Sequence, residues 1–304
     1  MHDSHSRRHD HSVPRGINRR RMTIALILNV GLLLIGVAGA VLFGSVALLA
    51  DAGHVLSDIG AIGLGLFAAI VAARPARGQR TFGYHRSEII AALVNGLALV
   101  VVAVLVLVES ASRLADPPAV EGLGVLVVGV LGLAGNLAAT VVLAGGDRED
   151  LNLEGVLRHS AADALGSLGV VVAGAIVLAT GWLYADPIAG LLIAVLILLG
   201  SWRLVREPFD VLMEAAPKGL DVPEVGRAMC EVEGVREVHD LHVWTVTSGF
   251  PALAAHVLTA PADDSDEVRR RLEALLADRF GIEHTTLQTE RERLLELEDR
   301  RSGR

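Results

Sequence analysis

Ala50-Asp51-Ala52-Gly53-His54-Val55-Leu56-Ser57-Asp58 sets a histidine and an aspartate four residues apart in an otherwise apolar segment, and His159-Ser160-Ala161-Ala162-Asp163 repeats that spacing in a second one. An ionisable side chain at bilayer depth costs about 2.5–3.5 kcal/mol on insertion scales, so its presence there points to function. On a helix, positions four apart share a face, one turn above each other. Each unit therefore aims an imidazole and a carboxylate the same way, and two facing helices would supply four N/O ligands, the tetrahedral shell Zn2+ prefers. The two carboxylates would balance one divalent cation, and the lack of thiolates disfavours soft Cu+. A blander reading has the histidines bonding neighbouring helices and the aspartates stabilising packing. One unit alone would suit it; two identical units argue for a shared cation.

Working outward, the chain of 304 residues is 52% hydrophobic, a share that soluble domains also reach. The distribution is more telling. Six apolar runs long enough for a bilayer of ~30 Å occupy the first two-thirds: Ile24–Phe43, Ser45–Ala73, Ile89–Val108, Leu123–Ala144, Asn152–Ala179 and Tyr184–Leu204. The last third is charged and mixed. The expected domains are a His/Arg-rich tail (1–21), a six-span transmembrane domain (22–206), a soluble domain (207–292), to which the resemblance given below assigns metal binding and dimerisation, and a charged tail (293–304). No cleavable signal peptide is evident, because the run after Arg19, Arg20 and Arg21 is too long for one. The single Cys230 excludes an internal disulfide and a Cys-based zinc finger, and is expected to be a small buried apolar side chain.

Lys and Arg set the orientation. Arg15, Arg19, Arg20 and Arg21 precede the first span, Arg74, Arg77, Arg80 and Arg86 fill the second loop, Arg148 lies in the fourth, and Arg203, Arg206 and Lys218 follow the sixth span. The first, third and fifth loops offer only Arg113. Both termini are thus expected in the cytoplasm of a multi-pass protein of the cell inner (plasma) membrane. Trp182, Tyr184 and Trp202 bracket the sixth run like interfacial anchors. Asn29, Asn95 and Asn136 lie inside spans, either bonding between helices or lining a cation path. Arg158 puts the second His/Asp unit near the cytoplasmic end of its span, whereas His54 lies nearer the outer end of its own. Either the fifth helix projects beyond the bilayer or a water-filled cavity reaches the site.

Beyond Glu207 the pattern changes. A helix is expected at Val222–Glu233, strands at Val238–Val246 and Ala252–Leu258 around a Ser248-Gly249 turn, an amphipathic helix at Asp266–Phe280 and a last strand at Thr285–Glu290. The order αββαβ suggests helices layered on a three-stranded sheet. His239, His256 and Glu290 fall on neighbouring strands, which could bring them together; the alternative is solvent-exposed polar residues. His242, on strict alternation with Trp244 and Val246, is expected to pack inward. His284 is ambiguous.

Protons and metals compete for the same lone pairs, and histidine titrates at about pH 6.5. Two access states could thus take up metal on one side and release it to protons on the other. The alternatives are a membrane-embedded metal-dependent hydrolase and a metal-sensing receptor. The former lacks H-E-x-x-H or any nucleophile–base motif, and the latter lacks a following effector segment.

The Ala50–Asp58 stretch, Phe82-Gly83-Tyr84-His85-Arg86 with Glu88, and His239-Asp240-Leu241-His242-Val243-Trp244 together resemble the cation diffusion facilitator family, most of all its zinc-transporting branch, from Arg21 to Glu290. The resemblance implies a six-helix membrane bundle followed by a cytoplasmic α+β domain of metallochaperone-like (ferredoxin-like) fold. It implies a homodimer that exports divalent metal, Zn2+ above all, in exchange for protons, with membrane lipid around it, no nucleic-acid partner and no organic cofactor. His54, Asp58, His159 and Asp163 fall on the family's transport-site positions, where a leading His rather than Asp goes with zinc over manganese. His239, His256 and Glu290 match cytoplasmic zinc positions, with the N-terminal His2, His5, His9 and His11 of a partner protomer as candidates for a fourth ligand. In the second loop, Arg80 and Tyr84 stand where some members place histidines, leaving His85 alone, either a ligand or a structural residue. The His-rich loop many members carry between spans four and five is reduced here to Gly145–Asp150.

Overall fold

The computed structural model describes residues 15–144, 153–260 and 263–291, the side chains near the ends of these stretches excepted. Six long helices come first: α1 (Arg15–Phe43), α2 (Val46–Ala72), α3 (Arg86–Arg113), α4 (Gly122–Ala144), α5 (Leu153–Thr180) and α6 (Ala185–Leu212). Five are long and apolar enough among the described residues to cross a membrane, and α4 adds an apolar stretch, Gly122–Ala138. Each matches an expected run to within a few residues except where charged turns extend it, as at both ends of α3. Leu34, Val41, Leu66, Leu105 and Leu199 are more than three-fifths exposed. Side chains of that kind facing outward make sense against lipid rather than water.

The chain forms two compact units, residues up to Leu66 with Val94–Val205, and Phe67–Leu93 with Arg206 onward. The core of the first is built from small and branched side chains, among them Ala50, Ala103, Val125, Val170, Ile193 and Ala194. Its tightest seam is α4 on α5. A Cβ on Gly122 would lie 2.6 Å from the backbone nitrogen of Leu178, and one on Gly174 would lie 2.7 Å from that of Leu126. No methyl group fits at either place, so the two backbones touch, as small residues allow in membranes.

Ser45 caps α2, its hydroxyl accepting from the Leu48 N–H at 3.0 Å. Asp186, in the first turn of α6, accepts from the Val46 N–H at 2.8 Å and from the Ser45 hydroxyl. One carboxylate thus ties the start of α6 to the start of α2.

The second unit holds α7 (Val222–Cys230), β1 (Val235–Thr247), β2 (Phe250–Thr259), α8 (Ser265–Phe280) and β3 (His284–Arg291). The order αββαβ is the one expected. The strands run β1-β2-β3 in one sheet, with β1 and β2 antiparallel and β2 and β3 parallel. Gly249 turns the hairpin at φ 73°. Val225 and Met229 of α7 and Leu272 and Leu276 of α8 bury against Leu253 and Val257 of β2. Asp264 caps α8, accepting from the Asp266 N–H at 3.0 Å, and Gly281 ends it in the left-handed conformation.

Two expectations fail here. Cys230 is exposed, not buried; it ends α7, beyond the face that carries Val225 and Met229 inward. His242 is also exposed, because β1 carries a bulge: His242 lies three positions after His239, while their partners His256 and Ala254 are only two positions apart. Asp240 takes the extra position at φ 52°. The inserted residue resets the alternation, so Val243 turns inward and His242 joins the face of His239.

Candidate metal centres

His54 and Asp58 sit one turn apart on α2, and Asp163 on α5 faces them. The Nε2 of His54 lies 2.6 Å from Oδ1 of Asp163, both side chains largely buried. One ligand atom each from His54, Asp58 and Asp163 lie within 4.8 Å of one another. Zinc ligands at about 2.0–2.2 Å from the metal keep tetrahedral neighbours about 3.3–3.6 Å apart. Small rotamer changes would therefore close the three on one cation, at the expense of the His54–Asp163 hydrogen bond. His159 lies on α5 one turn before Asp163; its side chain is outside the described ones.

His54 and Asp163 meet even though the sequence sets them toward opposite ends of their spans. About 27 Å of α2 runs from His54 to its C-terminal end, against about 15 Å of described α5 before Asp163, at 1.5 Å per residue.

One turn from the histidine, toward the N-terminal end of α2, stands Asp51. Ser167, one turn beyond Asp163 on α5, donates its hydroxyl to Oδ1 of Asp51 at 3.1 Å. Asn136 on α4 donates to the Ser167 oxygen at 3.0 Å. Ser167 is fully buried and Asn136 nearly so. Asn136, expected either to bond between helices or to line a cation path, bonds between helices; Ser167 is a residue that the sequence does not single out. The signal for Ser167 was its helical spacing from Asp163, four residues along the same face.

In the second unit, His239 and His256 are directly opposite in the β1–β2 ladder, their rings 5.2 Å apart. Glu290 on β3 approaches both. Its Oε1 lies 2.7 Å from Nδ1 of His256, and its Oε2 lies 3.6 Å from Nε2 of His239. Atoms of the three lie within 4.8 Å of one another. The hydrogen bond from His256 holds the Glu290 carboxyl below the usual glutamate range. All three are half-open to solvent, which leaves room for a further ligand. His2, His5, His9 and His11 lie outside the described residues.

The remaining histidines stand apart from this cluster. His242 contacts Asp240 at 3.1 Å. His85 and His284 both meet the ring of Phe250 edge-on, at 6.2 and 5.4 Å. Arg80 lies over the Tyr84 ring at 4.3 Å, and Arg86 pairs with Glu214 at 3.1 Å. Stacked rings and arginines dominate that loop, and among the described residues His85 joins no group of metal-ligand side chains.

Facing His/Asp donors within a multi-pass apolar bundle, followed by a unit with its own His/Glu cluster, define a membrane carrier of divalent cations. Two family models match almost end to end: the cation efflux transmembrane domain over residues 22–213 and the cation efflux protein cytoplasmic domain over residues 217–292. The chain belongs to the cation efflux, or cation diffusion facilitator, family. It is a transporter and not an enzyme, which removes the hydrolase alternative. It is 37% identical to the cadmium, cobalt and zinc/H(+)-K(+) antiporter of Bacillus velezensis, over 93% of this chain and 91% of that one. It is 40% identical to the metal cation efflux system protein CzcD of Cupriavidus metallidurans, over 93% and 89%. With the zinc transporter ZitB of Escherichia coli it shares 39%, over 95% and 93%.

Proposed function

We propose that this chain exports Zn2+ in exchange for protons by alternating access, binding the cation at His54, Asp58, His159 and Asp163. The observation that carries this reading is the meeting of His54, Asp58 and Asp163 across α2 and α5. Imidazole and carboxylate coordinate Zn2+ only when deprotonated. The His54–Asp163 contact at 2.6 Å is therefore where a proton and a cation exclude each other. In one access state the cation replaces that proton; in the other, protons from the far side return and displace the cation.

The protein works as a homodimer, as the match of residues 217–292 to the family's cytoplasmic domain supports, with both termini cytoplasmic, which the Lys/Arg distribution supports. The tail 1–21, transport domain 22–206, cytoplasmic domain 207–292 and tail 293–304 divide the labour. His239, His256 and Glu290 hold a regulatory or structural Zn2+ in the cytoplasmic domain. The test is zinc flux in proteoliposomes under an imposed pH gradient. Flux that follows the gradient and disappears in Asp163→Ala, with the protein still folded, sustains the reading; gradient-independent flux, or none in the wild type, defeats it.

A further inference from the structure

A carboxylate within the bundle that the four transport residues do not include calls for a role. Asp51 lies three residues before His54 on α2, and its partner Ser167 lies four residues after Asp163 on α5. Each step moves the same way along the bundle, by about 5 Å at 1.5 Å per residue. The second layer therefore lies on the same two helices as the first, displaced toward the N-terminal end of α2. It is all oxygen and amide: the Asp51 carboxylate, the Ser167 hydroxyl and the Asn136 amide.

Space has been left beside that carboxylate. A Cβ on Gly132 would touch its Oδ2 at 3.4 Å, and one on Gly166 would lie 3.5 Å from Oδ1. Asp51, Asn136 and Gly132 also line a small cavity of about 10 Å³, roughly the room one water needs. With Zn2+ on the quartet, the two aspartates there already balance it. Asp51 adds a further carboxylate one turn along α2 from His54, placed to receive the cation next.

We propose that Asp51, oriented by Ser167 and Asn136, is a way-station of the transport path, the oxygen site that receives the divalent cation as it leaves the quartet toward the N-terminal end of α2. On the orientation argued above, that is the outer side, so the inference rests on the proposed zinc export. Hard oxygen donors hold Zn2+ less tightly than imidazole, which suits a site that must release what it receives.

The test is full-length protein carrying Asp51→Asn, measured for zinc affinity by equilibrium titration and for maximal zinc flux in proteoliposomes under a pH gradient. A way-station leaves the affinity within about twofold of wild type and lowers maximal flux about tenfold or more, a loss confined to the turnover step. Unchanged maximal flux overturns the proposal, as does an affinity that falls in step with the flux. A lower melting temperature with full flux makes the network a packing tie and overturns it too. Should Asp51→Asn fail to fold, Ser167→Ala decides by the same criteria, with about a threefold loss of flux at constant affinity expected from a misaligned carboxylate. A wild type that carries no zinc would instead defeat the export reading itself, so the two failures are distinguishable.

Discussion

His54 and Asp163 are 109 positions apart in the chain, yet their side chains meet at 2.6 Å between α2 and α5. That contact joins the two halves of a repeated motif, and the helices bearing them cannot separate without breaking it.

Removing the acidic partner should therefore silence the carrier more than it unfolds it. Asp163→Ala is expected to lower zinc flux at least about a hundredfold while costing about 1–3 kcal/mol of stability, the range for losing one partly buried hydrogen bond. Proteoliposome flux and a thermal melt of the same sample check both numbers.

Replacing the imidazole by a carboxylate hardens the donor set. His54→Asp should shift the preference from Zn2+ toward harder ions such as Mn2+ by about tenfold, or 1.4 kcal/mol. Competition between the two metals for uptake measures it; an unchanged ratio would show that His54 does not set selectivity.

The cytoplasmic cluster has a pH signature. Because Glu290 is held below its ordinary value near 4.5 by His256, it lends stability above that value and loses it as pH falls through the lowered one. Glu290→Gln should flatten the acid limb of the unfolding curve in that window, because it lowers stability at neutral pH, where the pairing is fully present, and leaves stability below the window unchanged. Zinc binding to the full chain should also weaken as protons compete, and by one equivalent per protomer in His256→Ala.

The bulge in β1 gives a backbone test. Asp240 sits at φ 52°, where a β-branched side chain is strained by about 1–2 kcal/mol. Asp240→Val should destabilise the second unit by that amount, and Asp240→Gly should not, as read by denaturant unfolding of the full chain.

The six spans and the αββαβ order were legible because hydropathy and periodicity are local properties of the chain. The convergence of His54, Asp58 and Asp163 was legible too, since four-residue spacing in an apolar run points two side chains the same way; their part in transport stays with the proposal. His242 was misplaced because strict alternation assumes an unbroken ladder, and nothing local to Asp240 announces the left-handed residue that shifts it. Cys230 failed for a related reason: its exposure depends on where α7 stops, and helix ends are set by tertiary packing. Ser167 went unread because a lone serine in a membrane helix acquires meaning only from the aspartate it meets across the bundle.

The contact of α4 with α5 at Gly122 and Gly174 has a mechanical consequence. Two helices whose backbones already touch have little slack to slide or tilt past each other, so on the proposed alternating access they are expected to shift as one plank. Asn136 and Ser167 ride on it together and keep their hydrogen bond throughout. The gap that opens and shuts must then run along α2, where His54 and Asp51 lose and regain their partners on the plank.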